Sequence, residues 1–432
     1  MADNTDTALR SLLFYQVFVR NYGEAGSFAA VERDLPRIRD LGADVVYLMP
    51  IHPVGEKCRK GSLGSPYAVR NYRAVNPEFG TLDDFRRLTD AIHAQGMKCM
   101  IDVVFNHTSP DAVLVSEHPE WYCHRADGSF YNRVGEWSDV VDLDYDQPAL
   151  WAHQIDTLKY WAGMVDGFRC DVAPLLPLAF WERARREVAA VRPDCMWLAE
   201  SADPGFIAHL RSRGLGALSD GELYRAFDIT YDYDSYWALN RYLTGKGTLE
   251  AYVEDVNRQE AIFPANYVKL RFLENHDQAR AASLAENARA LRNLTAFMLF
   301  QKGSAFVYAG QEFGATHRPT LFDHDPVRLA PENGVNLTEL IRKMMRIKKK
   351  PLFQNSACRL TVAEKDVLLA EHSRDGERVM GVFSLKGRAG QVTVPLRDGV
   401  YEDLLSGEFV EVFRSVLYSD EPMILKIKSG GR

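Results

Sequence analysis

Asp166-GFRCDV-Ala173 runs an apolar strand core straight into an arginine and an aspartate. On an extended strand alternate residues share a face, so Arg169 and Asp171 point the same way. Charge at the end of a packed strand is unfavourable unless it has a task. Three further segments have the same form: Met100-IDVVFN-His107, Met196-WLAE-Ser201 and Arg271-FLENH-Asp277. Parity places Asp102, Val104 and Asn106 on one side of the first, and Leu198 with Glu200 on one side of the second. Four such ends predict a ring of strand termini converging on one pocket, and hence an enzyme.

Around these segments, short apolar runs alternate with amphipathic stretches. Strands are expected at Leu12–Val19, Val45–Met49, Lys98–Val104, Val165–Cys170, Met196–Ala199, Val268–Leu273 and Ala305–Tyr308. Ala217–Ser219 or Phe227–Thr230 supplies one more. Helices are expected at Phe28–Leu41, Thr81–Gln95, Ala149–Ala162, Leu178–Val191 and Ala285–Gln301. About eight strand–helix units close into a (β/α)8 barrel. An open doubly wound sheet is the alternative, but no G-x-G-x-x-G follows the first strand. Residues 108–146, rich in His, Trp, Tyr, Asp and Gly, break the rhythm as an insertion after the third strand, and loops of that length are usually functional. A basic helix, Asn336–Lys350, stops at Pro351. Beyond it the period becomes two, in Arg359-LTVAE, Val367-LLAEHS, Arg378-VMGVFSL, Gln391-VTVPL and Met423-ILKIK, which predicts an antiparallel β-sandwich. The expected division is a barrel over 1–107 and 147–353, an insertion over 108–146, and a C-terminal domain over 354–432.

Composition narrows the function. A net charge of -7 gives no basic footprint for nucleic acid. No run of about 18 apolar residues is present, so no membrane span is expected. The six cysteines stand singly, with no C-x-x-C pair. Together with a polar N-terminus lacking an apolar leader, they lead to the expectation of a reduced, cytoplasmic protein, monomer or homodimer.

Chemistry then suggests roles. Asp171 beside Arg169 is expected to have a depressed pKa and stay ionised, as suits a nucleophile. Glu200, after Trp197, Leu198 and Ala199, is expected to hold a proton. Carboxyl groups with pKa values pushed apart equip a retaining glycosidase. Asp277, behind His276, is a third acid able to favour a cationic transition state.

The chain resembles the α-amylase family of glycoside hydrolases, whose signature blocks it matches in order: Asp102-VVFNH, Gly167-FRCD, Glu200 and Asn275-HD. Gly64-SPYAVRNY with Asn76-PEFGTLDDF, and Asp142-LDY, extend the likeness over nearly the whole chain. The resemblance implies Asp171 as nucleophile, Glu200 as acid/base and Asp277 as transition-state stabiliser. It implies that Tyr67 stacks on the sugar, that His107 and His276 bind its hydroxyls, and that Arg169 orients Asp171. Asp102 would pair with Arg169, and Arg280 would reach a neighbouring sugar. The implied activity is retaining cleavage of α-glucosidic bonds, mainly α-1,4, in malto-oligosaccharides or starch-like α-glucans. An α-1,6-acting glucosidase, a transglycosylase and a catalytically silent sugar-binding protein are the alternatives.

Two departures stand out. Val172-Ala173-Pro174 follows the nucleophile, where many endo-acting amylases carry Lys-His two residues further on. Asn106 matches a common calcium ligand of the family, but Arg20-NYGEAG lacks the acidic alternation that calcium favours, so no cofactor is expected. Trp121, Tyr122, Tyr131 and Trp137 form either the insertion's own core or outer sugar platforms.

Overall fold

The computed structural model describes residues 4–135 and 137–427. Eight parallel strands close a barrel: β1 Leu13–Val17, β2 Val45–Leu48, β3 Lys98–Val103, β4 Gly167–Cys170, β5 Met196–Ala199, β6 Ile229–Tyr231, β7 Val268–Arg271 and β8 Ser304–Tyr308. Closure comes from β1 pairing with β8 on one side and β2 on the other, with Leu13 opposite Ala305 and Phe14 opposite Val45. The open-sheet alternative is thereby excluded. The strands are short and apolar because each is buried against barrel interior and helix layer alike.

The helices start where capping chemistry places them. Ser27 accepts from Ala30 N ahead of Phe28–Asp40, and Asn287 does the same for Ala288–Phe300. Thr81 and Asp84 form a capping box ahead of Leu82–Ala94. Each cap stabilises its helix by about 1 kcal/mol.

Of the two candidates for the sixth strand, the structure uses the second, shifted to Ile229–Tyr231. Its signal is weak because Asp228 and Asp232 bracket only three residues, one of them Thr230. Both carboxylates are spoken for, by Arg185 and by Arg271. Helices Pro204–Ser212, Tyr233–Leu243 and Leu249–Ile262 fill the stretch between β5 and β7.

Between β3 and β4 the chain makes a two-residue strand pair, His107–Thr108 with Val141–Asp142, a short helix, Val113–Glu117, and then the barrel helix Pro148–Ala162. C-terminally, a six-stranded antiparallel sheet runs in the spatial order Ala357–Glu364, Val367–Arg374, Glu377–Ser384, Met423–Ile427, Gly399–Asp403, Phe409–Val412. A pair, Gly390–Thr393 with Val416–Ser419, lies apart from it. Period two has a physical use here. Val367 and Leu369 join a core private to this domain, while Leu368 and Ala370 join the barrel's core. There Phe383 packs on Phe297 and Phe300 at 5.4 and 5.6 Å between ring centres. The strands Gly399–Asp403, Phe409–Val412 and Val416–Ser419 lack an apolar alternation to announce them, because Val400, Phe409 and Tyr418 face solvent.

Candidate active site

The rim at the C-terminal ends of the barrel strands is held by the sheet itself. The N–H of Asp171 donates to Val103 O at 2.9 Å and that of Glu200 to Cys170 O at 3.0 Å, so the ladder continues one step beyond β4 and β5. Arg169 stands opposite Asp102 in the β3–β4 register. Its fully buried guanidinium gives Nη1 to both oxygens of Asp102 at 3.0 Å and to Asp171 Oδ1 at 2.7 Å. Nη2 lies 2.7 Å from Glu200 Oε1. Through one guanidinium, hydrogen-bonded to Asp171 and ion-paired with Glu200, the contacting oxygens of the two acids are held within about 8 Å of each other.

Three carboxylates on one cation reverse an expectation. Arg169 does not depress Asp171: burial and then the neighbouring Glu200 push its pKa well up, against the pull of Arg169. Shared among three acids, the guanidinium cannot offset that push on Asp171. Glu200 is further tied by Val172 N–H, which donates to Oε2 at 2.8 Å. Val172 offers that N–H from a left-handed backbone, φ 36° and ψ 45°. A β-branched residue there is strained, and such strain concentrates at functional sites.

The opposite wall is built on the segment after β7. Gln16 Nε2, from β1, donates to His276 Nδ1 at 2.9 Å, leaving the Nε2 side toward Tyr67 Oη at 2.8 Å and Asp277 Oδ2 at 3.1 Å. Tyr67 stacks on His276 with ring centres 5.4 Å apart. Its hydroxyl also lies 3.1 Å from Asp102 Oδ2, which Tyr47 caps at 2.6 Å. Burial alone would raise the Asp277 carboxyl, but His276, with Arg169 and Arg318 further off, holds it below its usual value. His107 is kept neutral by burial, which lowers its pKa.

Tyr67, His107, Asp171, Glu200, His276 and Asp277 all line one cavity of about 350 Å³. Arg169 and Asp102 lie beneath its floor. Arg280 does not line it. Its side chain is fully buried, gives Nη1 to Glu274 at 2.7 Å and Nε to His317 O at 3.0 Å, and so holds the segment after β7. A guanidinium six residues from an internal glutamate finds its charge partner within the chain.

The insertion's aromatics divide. Trp121 and Tyr122 are buried within it, and Tyr131 lies under the Arg125 guanidinium. Trp137 lines the cavity, its ring 5.4 Å from that of His107. Gln16, Tyr47 and the Lys60–Asp139 pair, 2.7 Å apart, complete the surroundings. Gln16 bears the same signature as the catalytic candidates, a polar residue inside an apolar strand, whereas Lys60 and Asp139 sit in loops with no pattern.

Where the family implies calcium, the residues do not fit it. Asn106 Oδ1 accepts from Arg133 Nη2 at 2.8 Å, and Asp142 Oδ2 takes Arg133 Nε at 3.0 Å. A guanidinium already bridges the two oxygens a cation would join. Among the described residues no cluster of three His, Cys, Asp or Glu side chains could hold a metal.

A family model described as the α-amylase catalytic domain matches residues 13–119 and 111–390. The chain belongs to the α-amylase family. A second model, the bacterial α-amylase C-terminal domain, matches residues 359–425. Among solved structures, an α-amylase from Lactobacillus plantarum is 50% identical, with a TM-score of 0.94 over 98% of this chain and 100% of that one. A noncanonic maltogenic α-amylase from Thermotoga neapolitana is 32% identical, with a TM-score of 0.86 over 98% and 99%. Among curated relatives, an α-1,4-glucan:maltose-1-phosphate maltosyltransferase of Rhodospirillum rubrum is 34% identical over 59% of this chain, which spans only 37% of that protein. This α-amylase-family chain has no helix, among the described residues, long and apolar enough to cross a membrane.

Proposed function

We propose that this α-amylase-family enzyme cleaves α-1,4-glucosidic bonds of malto-oligosaccharides with retention, through a glycosyl–Asp171 intermediate. The carrying observation is the Arg169 fork, which holds Asp171 and Glu200 on one cavity shared with Asp277, Tyr67 and both histidines. Asp171 attacks the anomeric carbon while Glu200 protonates the departing oxygen; the deprotonated Glu200 then activates water, which releases the sugar and frees Asp171. Asp277, held ionised by His276, faces the cationic transition state. Arg133, bridging Asn106 and Asp142, takes the structural place of a metal, so no cofactor is needed. The substrate is a neutral α-glucan.

A second reading, transfer of the sugar to another glucan, is supported by the maltosyltransferase relatives. Their donor carries a phosphate where the leaving group departs. Here the cavity lobe beyond Glu200 is lined without lysine or arginine and includes Asp203, which disfavours a phosphate there. The product profile on maltotetraose, isomaltose, pullulan and maltose 1-phosphate tests both readings. Reducing ends rising in step with α-1,4 cleavage are expected. Chain-lengthened products without new reducing ends would replace hydrolysis by transfer, and attack on isomaltose alone would replace the linkage.

A further inference from the structure

An acid that protonates a glycosidic oxygen stands between the two sugars that part. A chain running on from the non-reducing side of the attacked sugar therefore heads away from Glu200. On that side the cavity is lined by Lys60, Trp137, Asp139, Leu321 and Phe322. These residues come from three loops: the one after β2, the insertion after β3, and the one after β8. A glucan threaded through the site needs an open groove between them. Here the loops are tied together.

The first set of ties joins the loop after β2 to the loop after β8. Ser62 gives both its N–H and its Oγ to Asp323 Oδ1, at 2.8 and 2.7 Å. The N–H groups of Leu63 and Gly64 both donate to Phe322 O, at 2.9 and 3.1 Å. The fully buried Arg20 guanidinium clamps the same two segments, giving Nη1 to Gly64 O at 2.7 Å and to Leu321 O at 2.9 Å. The approach is close enough to require glycine at position 61. A Cβ added there would fall 2.6 Å from Phe322 Cβ, and the φ of +65° is left-handed.

The second set joins the loop after β2 to the insertion. Lys60 Nζ reaches Asp139 Oδ1 at 2.7 Å, and Glu56 N–H donates to Asp111 Oδ2 at 2.9 Å. The Asp139 side chain is only 7% exposed, so losing Lys60 would strand a nearly buried carboxylate. Its turn is fixed as well, with Val140 N–H donating to Trp137 O at 3.3 Å. Both flanks of the loop after β2 are thus anchored across the path of a longer chain.

We infer that these ties close the donor side, so the enzyme takes the non-reducing end of an α-glucan into a blind pocket and cuts from that end. Lys60, Gly61 and Asp139 set this end-specificity. They act by excluding a longer chain, not on the bond that breaks. The inference rests on the glycosidase reading above and adds a direction of attack to it.

The test uses maltoheptaose labelled at its reducing end, in two forms. One has a free non-reducing end; in the other that terminal glucose carries a 4,6-O-ethylidene bridge. From the free form the parent is expected to release a labelled first product of one length. It is expected to cut the blocked form at least about 100-fold more slowly, because the bridge clashes with a closed pocket. Lys60→Ala, Asp139→Ala and Gly61→Val loosen the ties from the two flanks. Each should raise the blocked-to-free rate ratio about tenfold or more and spread the labelled products over several lengths. A ratio taken on one preparation is independent of how much of it is folded. A parent that cuts both forms at similar rates overturns the inference and leaves hydrolysis standing. Variants that all keep the parent's ratio and product length overturn it too. A parent inert toward both forms sinks the glycosidase reading itself, before any variant is made.

Discussion

Two buried charge clusters of this barrel use the same ingredients to different ends. At the rim, one guanidinium, Arg169, serves Asp102, Asp171 and Glu200. Between the barrel wall and the helices Tyr233–Leu243 and Leu249–Ile262, two cations share the load. Lys269 binds Asp220 and, at 2.8 Å, Asp234; Arg271 binds Asp232 at 2.7 Å and Gln259 at 2.8 Å. The second cluster is closer to balance: Asp234 is held below its usual pKa, with Lys269 the main counter to burial, while burial pushes Asp220 up to about 6. The first has more acid than base, and Asp171 is pushed up. Two cations among three acids suit a structural strut, whereas one cation among three acids beside a cavity suits the proposed proton exchange. Strain agrees with this division: the left-handed Val172 lies at the rim.

Removing an acid from the unbalanced cluster is expected to have the largest effect on rate and the least on folding. Asp171→Asn and Glu200→Gln should each lower kcat on maltoheptaose by at least about 10²–10⁴-fold. Thermal unfolding should stay at or above the parent's midpoint, since one competitor for Arg169 is gone. Near-parental turnover in either variant would refute the assignment. The balanced cluster should respond in the opposite sense. Lys269→Met strands two buried carboxylates and is expected to cost about 3–5 kcal/mol in urea unfolding, with kcat of the folded fraction within about twofold of the parent. A large loss of kcat with stability intact would erase the distinction.

Arg133 tests whether a built-in cation holds the insertion. Arg133→Ala should cost about 1–3 kcal/mol by leaving Asn106 and Asp142 short of a partner, while exhaustive chelation of the parent enzyme should change neither midpoint nor rate. Loss of activity on chelation would reinstate a metal. A further effect concerns protons away from both clusters. Burial pushes His52 down to about 4 and His372 down to about 3. The unfolded chain protonates these groups near 6.5, so the folded state binds fewer protons below that value. Their stability contribution is complete above about pH 6.5 and is lost as pH falls toward 4, by about 3 kcal/mol for His52. Urea unfolding of the parent and of His52→Gln at pH 7 and 4.5 checks this: the variant should lose less, and parallel losses would rule His52 out.

The primary sequence determined a good deal. Apolar runs ending in charge, spaced by amphipathic helices, specify a barrel and the side of it that works, because pleat parity and helix period follow from local residue type. The same logic singled out Asp171, Glu200 and Asp277, which the fold brings to one cavity. It failed where a charge is satisfied by a partner that the strand pattern does not announce. Arg280, Arg271 and Arg169 look alike in the one-letter string, yet Glu274 absorbs the first, a helix across the wall absorbs the second, and three acids divide the third. Whether Asp171 sits low or high on the pH scale depends on how many carboxylates Arg169 must share, and that count exists only once β3, β4 and β5 lie side by side. Likewise Trp237 is an ordinary helical residue in sequence, and only the fold sets it on one cavity with Glu200. Local propensity is written along the chain, but the free energy of a charge or a ring is set by its neighbours in space.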